Sequence, residues 1–324
     1  MGTIWQLSKN TLKESLREPV FFLVLASALV MIGLFPGMSM FVFRKQLKLV
    51  IDSSMATTML FGLFIAVLCA GHTISREMKN GTVLLLMSKP VTRSAFVISK
   101  ICGIFGALTI FVTLCVCASA LSVLIAKDQF QLDNIVMGCY FGALGVSAIY
   151  GGVRNYMAQK SFSSHAVAAM LVLLPILTVV MYVVRYRAIV AQGYDDYIPL
   201  LQLIPALLLM FPAVWVMGLI SAALAIRLDF ISNLLICLAI FLIGLVSQYF
   251  LVQWFGADST IGAVLGSILP NWQFFWMADA LTNQAQIPAA YVVWAVIYVI
   301  LHGIGWTLWA MYLFQDNELA RDSR

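Results

Sequence analysis

The sequence predicts an all-α polytopic membrane protein, and two observations carry this prediction. Hydrophobic residues make up 62% of the 324 residues and charged residues only 10%, whereas soluble domains carry roughly 25% charged residues. Uncharged runs long enough to cross the hydrocarbon core, which takes about 20 residues of helix, recur along the chain. They lack the two-residue alternation of a membrane β-barrel. Because lipid offers backbone groups no hydrogen-bond partners, the runs are expected to be helices.

The first element, residues 1–18, is predicted to be a helix that lies in the headgroup region ahead of the first span. Apolar and cationic residues fall near two different faces of this helix: Ile4, Trp5, Leu12 and Leu16 against Lys9, Lys13 and Arg17. This pattern is typical of interfacial helices. The segment has no small-residue cleavage site, so we do not expect a removed signal peptide. The alternative is a short solvated tail.

Eight spans are then predicted, in the uncharged runs 19–43, 53–75, 101–126, 134–153, 161–184, 197–226, 230–257 and 280–315. Both termini are placed in the cytoplasm, because the inner segments then hold 13 Lys and Arg and the outer segments 6, as the positive-inside rule requires. Arg185 and Arg187 fall outside in this arrangement. If 161–184 does not span, the count becomes six or seven.

Residues 259–278 are uncharged but interrupted by glycine, Pro270 and Asn271, with a cluster of aromatic residues behind the interruption. Tryptophan favours the membrane–water boundary, where its ring is apolar and its N–H stays wet. A full crossing would also move the C-terminus outside. We therefore expect a re-entrant or interfacial segment on the outer face, before the last span.

The sequence lacks known motifs for ATP binding or for hydrolytic catalysis. It contains no phosphate-binding G-x-x-x-x-G-K-[ST] loop and no hydrolase or zinc-protease motif, and the six cysteines all sit in apolar runs. No Asp, Glu, Lys or Arg lies near the centre of a predicted span, which weighs against an ion-coupled transporter. An alternative, an intramembrane enzyme or a haem- or metal-binding subunit, would use His72, His165 or His302.

The stretch "SREMKNGTVLLLMSKPVTR", residues 75–93, breaks the apolar pattern with four cations and a glutamate. Asn80-Gly81 is a good helix stop, Thr82 can cap a short amphipathic helix, and Pro90 disfavours its continuation. Thr92 can then cap the third span. A passive connection needs only a few residues, so we interpret the stretch as a docking element for a cytoplasmic partner, the alternative being a long loop.

These residues resemble the segment that follows the second span in permease subunits of ABC-2 type ABC transporters. The matching positions, in order, are Glu77, Gly81, Thr82, Leu85 or Leu86, Ser88, Pro90, Val91, Arg93 and Lys100. Residues 1–18 are similar to the elbow helix of that family, and Leu269-Pro270-Asn271 with the last span also look like it. The resemblance covers 1–126 and 198–324, and is nearest to single-domain permeases of the nitrous-oxide-reductase maturation and gliding-motility type. Family members usually have six spans, so 127–197 departs by an added pair.

The resemblance implies a type V exporter-like transmembrane domain at 19–314, with the elbow helix before it, a coupling segment at 75–93 and a cytoplasmic tail at 315–324. It implies that ATP is hydrolysed by a separate ATP-binding subunit, present in two copies, and that a second permease protomer completes the transporter in the cell membrane. The residues that would couple to the ATPase are Glu77, Gly81, Thr82, Lys89, Pro90 and Arg93. No cofactor or nucleic acid is expected, and the apolar inventory favours export of a lipid-like or amphipathic cargo. A non-transporting membrane anchor is the further alternative.

Overall fold

The computed structural model describes residues 2–38, 46–80, 92–126, 132–191, 200–256, 259–260, 264–266, 269–282 and 288–322. In this part of the chain the helices are α1 Gly2–Arg17, α2 Pro19–Met38, α3 Gln46–Ala70, α4 Arg76–Asn80, α5 Arg93–Ile125, α6 Asn134–Ala158, α7 Phe162–Ala191, α8 Leu200–Leu208, α9 Met210–Leu224, α10 Phe230–Phe255, α11 Ala278–Thr282 and α12 Ala289–Asp322. A π-helical turn, Gly71–Ser75, joins α3 to α4, and a 3-10 turn spans Trp272–Phe275.

Eight helical segments in the described residues are long and apolar enough to cross a membrane. They are α2, the continuous α3–α4 helix, α5, α6, α7, the α8–α9 pair, α10 and α12. The predicted fold class, an all-α polytopic protein with about eight spans, is therefore confirmed. The segment that raised doubt, 161–184, forms one of the eight, Phe162–Arg185.

The centre of the bundle is built from α3, α5 and α9, which pack against one another and bury most of their surface. The outer helices α6, α7, α10 and α12 leave large apolar side chains exposed, among them Ile149, Val183 and Leu301. Such exposure suits lipid, which is as apolar as the side chains themselves. The three central helices thus form the core of the bundle, while the outer helices face lipid.

The α6–α7 hairpin, which the sequence set apart, is tied to the bundle by polar contacts that periodicity could not show. Tyr140 donates a hydrogen bond of 2.6 Å to the carbonyl of Leu29, and Tyr182 one of 3.0 Å to the carbonyl of Ala120. At the end of the hairpin, Arg185 lies 3.1 Å from Asp133, whose carboxylate also caps the start of α6. This ion pair accounts for an arginine on the side predicted to be poor in cations.

The segment before the last span enters the bundle instead of lying on its surface. Trp272 and Phe275 are fully buried, and a methyl group added to Gly244, in the middle of α10, would overlap Pro270 and Trp272. Tyr298 of α12 accepts a hydrogen bond of 3.0 Å from the backbone N–H of Asn271. Of the two predicted forms, interfacial or re-entrant, the geometry matches the re-entrant one.

Several contacts gather the connections between spans onto one end of the bundle, which we name the basal face. It consists of α1, residues 71–80, 92–100 and 154–165, and the turn 225–230. Ser163 bonds to the carbonyl of Leu16, and Ser75 donates 3.1 Å to the carbonyl of Leu228. Near the end of α12, the ring of Phe314 lies 5.5 Å from that of Phe96. The last helix continues to Asp322, through most of the predicted tail.

Candidate functional site

The predicted coupling residues fall only partly within the described chain. Glu77 is described in full, and Arg93 is described as the first residue of α5 without its side chain. Gly81, Thr82, Lys89 and Pro90, and the short helix predicted after Thr82, lie outside the described residues. The predicted cap at Thr92 is confirmed, since its hydroxyl accepts a hydrogen bond of 3.4 Å from the N–H of Ala95.

Glu77 meets the third span at the base of the bundle. Its Oε1 lies 2.8 Å from Nζ of Lys100, two turns into α5, and the Lys100 side chain is only 6% exposed. The ammonium also lies 5.8 Å from the centre of the Phe96 ring. A charge taken out of water needs a partner, and removing one member of a buried pair leaves the other charge buried and unpaired. The pair therefore fixes the end of the second span to the start of the third.

A third ionisable group, Glu14 of α1, belongs to the same region. Burial raises the pKa of its carboxyl above the ordinary value; the positive charges of Lys100 and Arg76 lower it, and the negative charges of Glu77 and Glu18 raise it. Burial disfavours the charged form of a carboxyl, and here the attraction of the cations does not overcome it. Glu14 thus links α1 electrostatically to the ion pair between α4 and α5.

The position of α1 is set by close packing on α5. A methyl group added at Gly103 would lie 2.5 Å from Cβ of Thr11 and 2.8 Å from the carbonyl oxygen of Ser8. These distances are too short for a side chain, so glycine lets the two helices approach. Glu18, at the junction of α1 and α2, lies 3.1 Å from Nδ1 of His72. The N-terminal helix is therefore held against both helices that flank the coupling segment.

The π-helical turn lies between the second span and Glu77. The hydroxyl of its Thr73 donates a hydrogen bond of 2.6 Å to the carbonyl of Cys69. The hydroxyl of Ser75 donates a hydrogen bond to the turn before α10. A methyl group at Gly71 would lie 2.9 Å from the ring of Phe230. π-helical turns within α-helices often mark functional positions, because one residue is added to a single turn. Here the turn lies where the helix leaves the bundle and contacts the start of α10.

Sequence reasoning missed the partners of Glu77. Lys100 entered only as a motif position, and neither Glu14 nor Glu18 was connected with the site. The available signal was the presence of two glutamates in the otherwise cationic segment 1–18, with cations at the ends of the next spans. The pairing itself joins residues 23 apart and needs the fold.

The histidines named in the metal and haem alternative occupy three separate environments. His72 is beside Glu18, Nδ1 of His165 lies 2.9 Å from the carbonyl of Ser161, and Nδ1 of His302 lies 3.2 Å from the carbonyl of Tyr298. Within the described residues there is no group of three or more His, Cys, Asp or Glu that could hold a metal ion. The structure thus does not bring the three histidines together.

Comparison with protein families identifies a relationship that covers most of the chain. The family model described as "ABC-2 family transporter protein" matches residues 20–258, about three quarters of the chain. The matched range includes 127–197, the part that the sequence analysis set apart, and stops before the re-entrant segment. No curated protein and no solved structure matches this chain.

Proposed function

The chain belongs to the ABC-2 transporter family, and from this premise we propose that it is the membrane-spanning permease subunit of an exporter driven by a separate ATP-binding subunit. Members of the family are membrane transport components and are not themselves catalytic. Two copies of the ATPase would act on two permease protomers, identical or related. The expected docking element is 75–93, together with the parts of the basal face that hold it.

The observation that carries the proposal is the contact between Glu77 and Lys100. A push on the segment between them acts at once on the end of the α3–α4 helix and on the start of α5, because the ion pair joins the two. Both helices run through the centre of the bundle. Movement of the coupling segment would therefore pass directly to the central helices instead of being lost in a flexible loop.

The distribution of charge supports a cytoplasmic basal face. The segments assigned to the inside carry 13 of the 19 Lys and Arg residues of the sequence. Contacts of α1 with α5 and with Ser163 of α7, and of Ser75 with Leu228 in the turn 225–229, gather these segments at one end of the bundle. Cytoplasmic loops of membrane proteins carry an excess of cations. This orientation puts residues 75–93 and both termini where ATP is available.

A groove between α5, α9 and α12 supports a lipid-like or amphipathic cargo. Its volume is about 400 Å³ and its lining is apolar. Cys102 and Thr307 are the lining residues whose side chains carry a heteroatom; the other lining side chains are hydrocarbon, from Ile98, Ile101, Phe105, Leu219, Ile300, Ile304 and Leu308. A groove with this lining suits an acyl chain and not a hydrated ion. It lies beside two of the central helices, where helix movement would change its shape.

Stimulation of ATP hydrolysis tests the proposal. We expect Glu77→Lys, which faces Lys100 with a like charge, and Gly81→Val to abolish the stimulation that the permease gives to its co-expressed ATPase, while the spans stay folded. The double variant Glu77→Lys/Lys100→Glu should recover stimulation if the pair acts as a unit. Lys160→Glu, an exposed charge change on the same face but outside 75–93, is the matched control and should reduce stimulation less than either single variant. Full ATPase binding and stimulation in both single variants would refute the coupling role.

A further inference from the structure

We propose that the polar strip formed by Gln248, Asn271 and Gln273 lines a water-filled vestibule in the outer half of the membrane, where it can hydrogen-bond neutral polar groups such as hydroxyls and amides. Water is its resident occupant. That the polar part of a cargo also passes there rests on the proposed function. Gln248 belongs to α10, and Asn271 and Gln273 belong to the re-entrant segment. All three residues are far along the chain from the coupling residues.

The depth of the strip follows from the helices that it touches. α10 has 26 residues, which at 1.5 Å per residue span about 39 Å. Gly244, which meets Pro270 and Trp272, therefore lies roughly 21 Å from one end of α10 and 16 Å from the other. On α12, Tyr298 lies about 13 Å from the first residue of the helix. The tip of the re-entrant segment thus reaches close to the middle of the bilayer.

Irregular backbone at this depth restricts what can surround it. Residues 269–271 are not helical, and their backbone relies on separate contacts: the N–H of Leu269 donates to the carbonyl of Leu265, and the N–H of Asn271 donates to the hydroxyl of Tyr298. Non-helical backbone at membrane depth is tolerated where it is buried in protein or lines a cavity that contains water. One side of the segment is covered, since Trp272 and Phe275 pack inward. The other side carries the polar strip.

The side chains of the strip are amides, two of which are exposed and one of which, Asn271, is half-buried. Nδ2 of Asn271 donates a hydrogen bond of 3.0 Å to Oε1 of Gln248, and Nε2 of Gln273 donates one of 2.9 Å to the carbonyl of Leu245. Gln248 and Gln273 are both exposed, and an amide carries two donors and an acceptor with two lone pairs, more than these bonds use. Placing such groups in hydrocarbon is unfavourable by several kcal/mol each. Lipid is therefore a poor neighbour for this side of α10.

The strip also continues toward a charged group. Trp276, one turn beyond Gln273, donates a hydrogen bond of 3.0 Å from its indole N–H to Oδ1 of Asp52 on α3. Asp52 is partly exposed, and a carboxylate within a span normally faces a water-filled cavity or a partner charge. Polar contacts thus occur at both ends of this segment, between Asp52 and Trp276 and between Asn271 and Gln248. A dry contact between two copies would need a partner for each of them, whereas water can satisfy all.

Thiol labelling in lipid nanodiscs, which leave both membrane faces open, tests the vestibule directly. A membrane-impermeant, charged thiol reagent is applied to the full chain carrying Gln248→Cys, and labelling is read on the peptide by mass spectrometry. The control is Val246→Cys, an exposed position on nearly the opposite side of α10 and two residues away in depth. Because the thiolate is the reacting form and needs water, we expect position 248 to react at least about tenfold faster than position 246.

Equally slow labelling of the two positions would overturn the proposal, as would a spontaneous disulfide between two copies at position 248, which would assign the strip to a protomer contact. If Gln248→Cys does not fold, Gln273→Cys replaces it with the same expectation. The labelling requires no ATPase. Its failure would leave the stimulation experiment intact, and failure of ATPase stimulation would leave the labelling intact.

Discussion

Lys100 shows how a single side chain can connect elements at the boundary of a membrane. Its ammonium is nearly buried and is satisfied by Glu77, with Phe96 beneath it. A lysine stem can lie along apolar surface while its head seeks a polar partner. Because that partner belongs to the segment after the second span, the charge joins two central helices at the position where a movement of a cytoplasmic partner would act.

Glu14 offers a test of the electrostatics of the basal face. Its pKa is raised in the folded protein, chiefly by burial, so its protonated form favours folding; this contribution is complete below the ordinary pKa of a glutamate and is lost as the pH rises through the raised value. We expect Glu14→Gln to unfold at a higher temperature than the wild type at pH 7 to 8, and this advantage to vanish near pH 4.

The measurement is thermal unfolding in detergent across this pH range. Glu18→Gln is the contrasting variant, because it removes the group beside His72, and we expect it to lose stability at neutral pH. A Glu14→Gln protein that is less stable than the wild type at neutral pH would show that the carboxylate of Glu14 is paired favourably.

At the scale of elements, the connections carry the specific features and the spans carry the generic ones. The π-helical turn, the 3-10 turn and the cap at Thr92 all lie at the ends of α-helices or between them. Within the spans, moving the boundaries of a helix by one or two residues would leave its composition apolar. The contacts at their ends, such as Ser75 with Leu228, join particular helices to one another.

The packing of the re-entrant segment predicts the effect of one methyl group. Gly244→Ala would overlap Pro270 and Trp272, so the segment must shift outward or α10 must bend. Forcing extra atoms into a packed contact is destabilising by about 1–3 kcal/mol. We expect a lower unfolding temperature in detergent, together with a shift in tryptophan fluorescence as Trp272 leaves its buried site.

Gly138→Ala on α6 is the matched control for that experiment, because nothing lies within 4 Å of the added methyl group. Its stability should equal that of the wild type or rise slightly, since alanine is the better helix former. Equal unfolding temperatures for Gly244→Ala and the wild type would mean that the re-entrant segment does not pack on α10 as described.

At the scale of the whole molecule, the sequence was sufficient wherever lipid alone dictates the structure. Eight spans followed from the apolar runs, because only helices satisfy their backbone in hydrocarbon, and the local cap at Thr92 followed from its own chemistry. The pairing of Asp133 with Arg185 joins residues 52 apart, and the seat of Trp272 on Gly244 depends on the approach of two separate segments. Such contacts have no local signature, and neither has the π-helical turn.

The central claim is that an ATP-binding subunit docks on the basal face, and a site-specific photo-crosslink tests it most directly. A photoreactive residue at Arg76, which is exposed beside Glu77, is compared with one at Trp254, which is 72% exposed near the opposite end of α10. We predict that Arg76 captures a protein with a phosphate-binding loop and that Trp254 does not. Capture of no such ATPase from position 76, or equal capture from both positions, would contradict the claim.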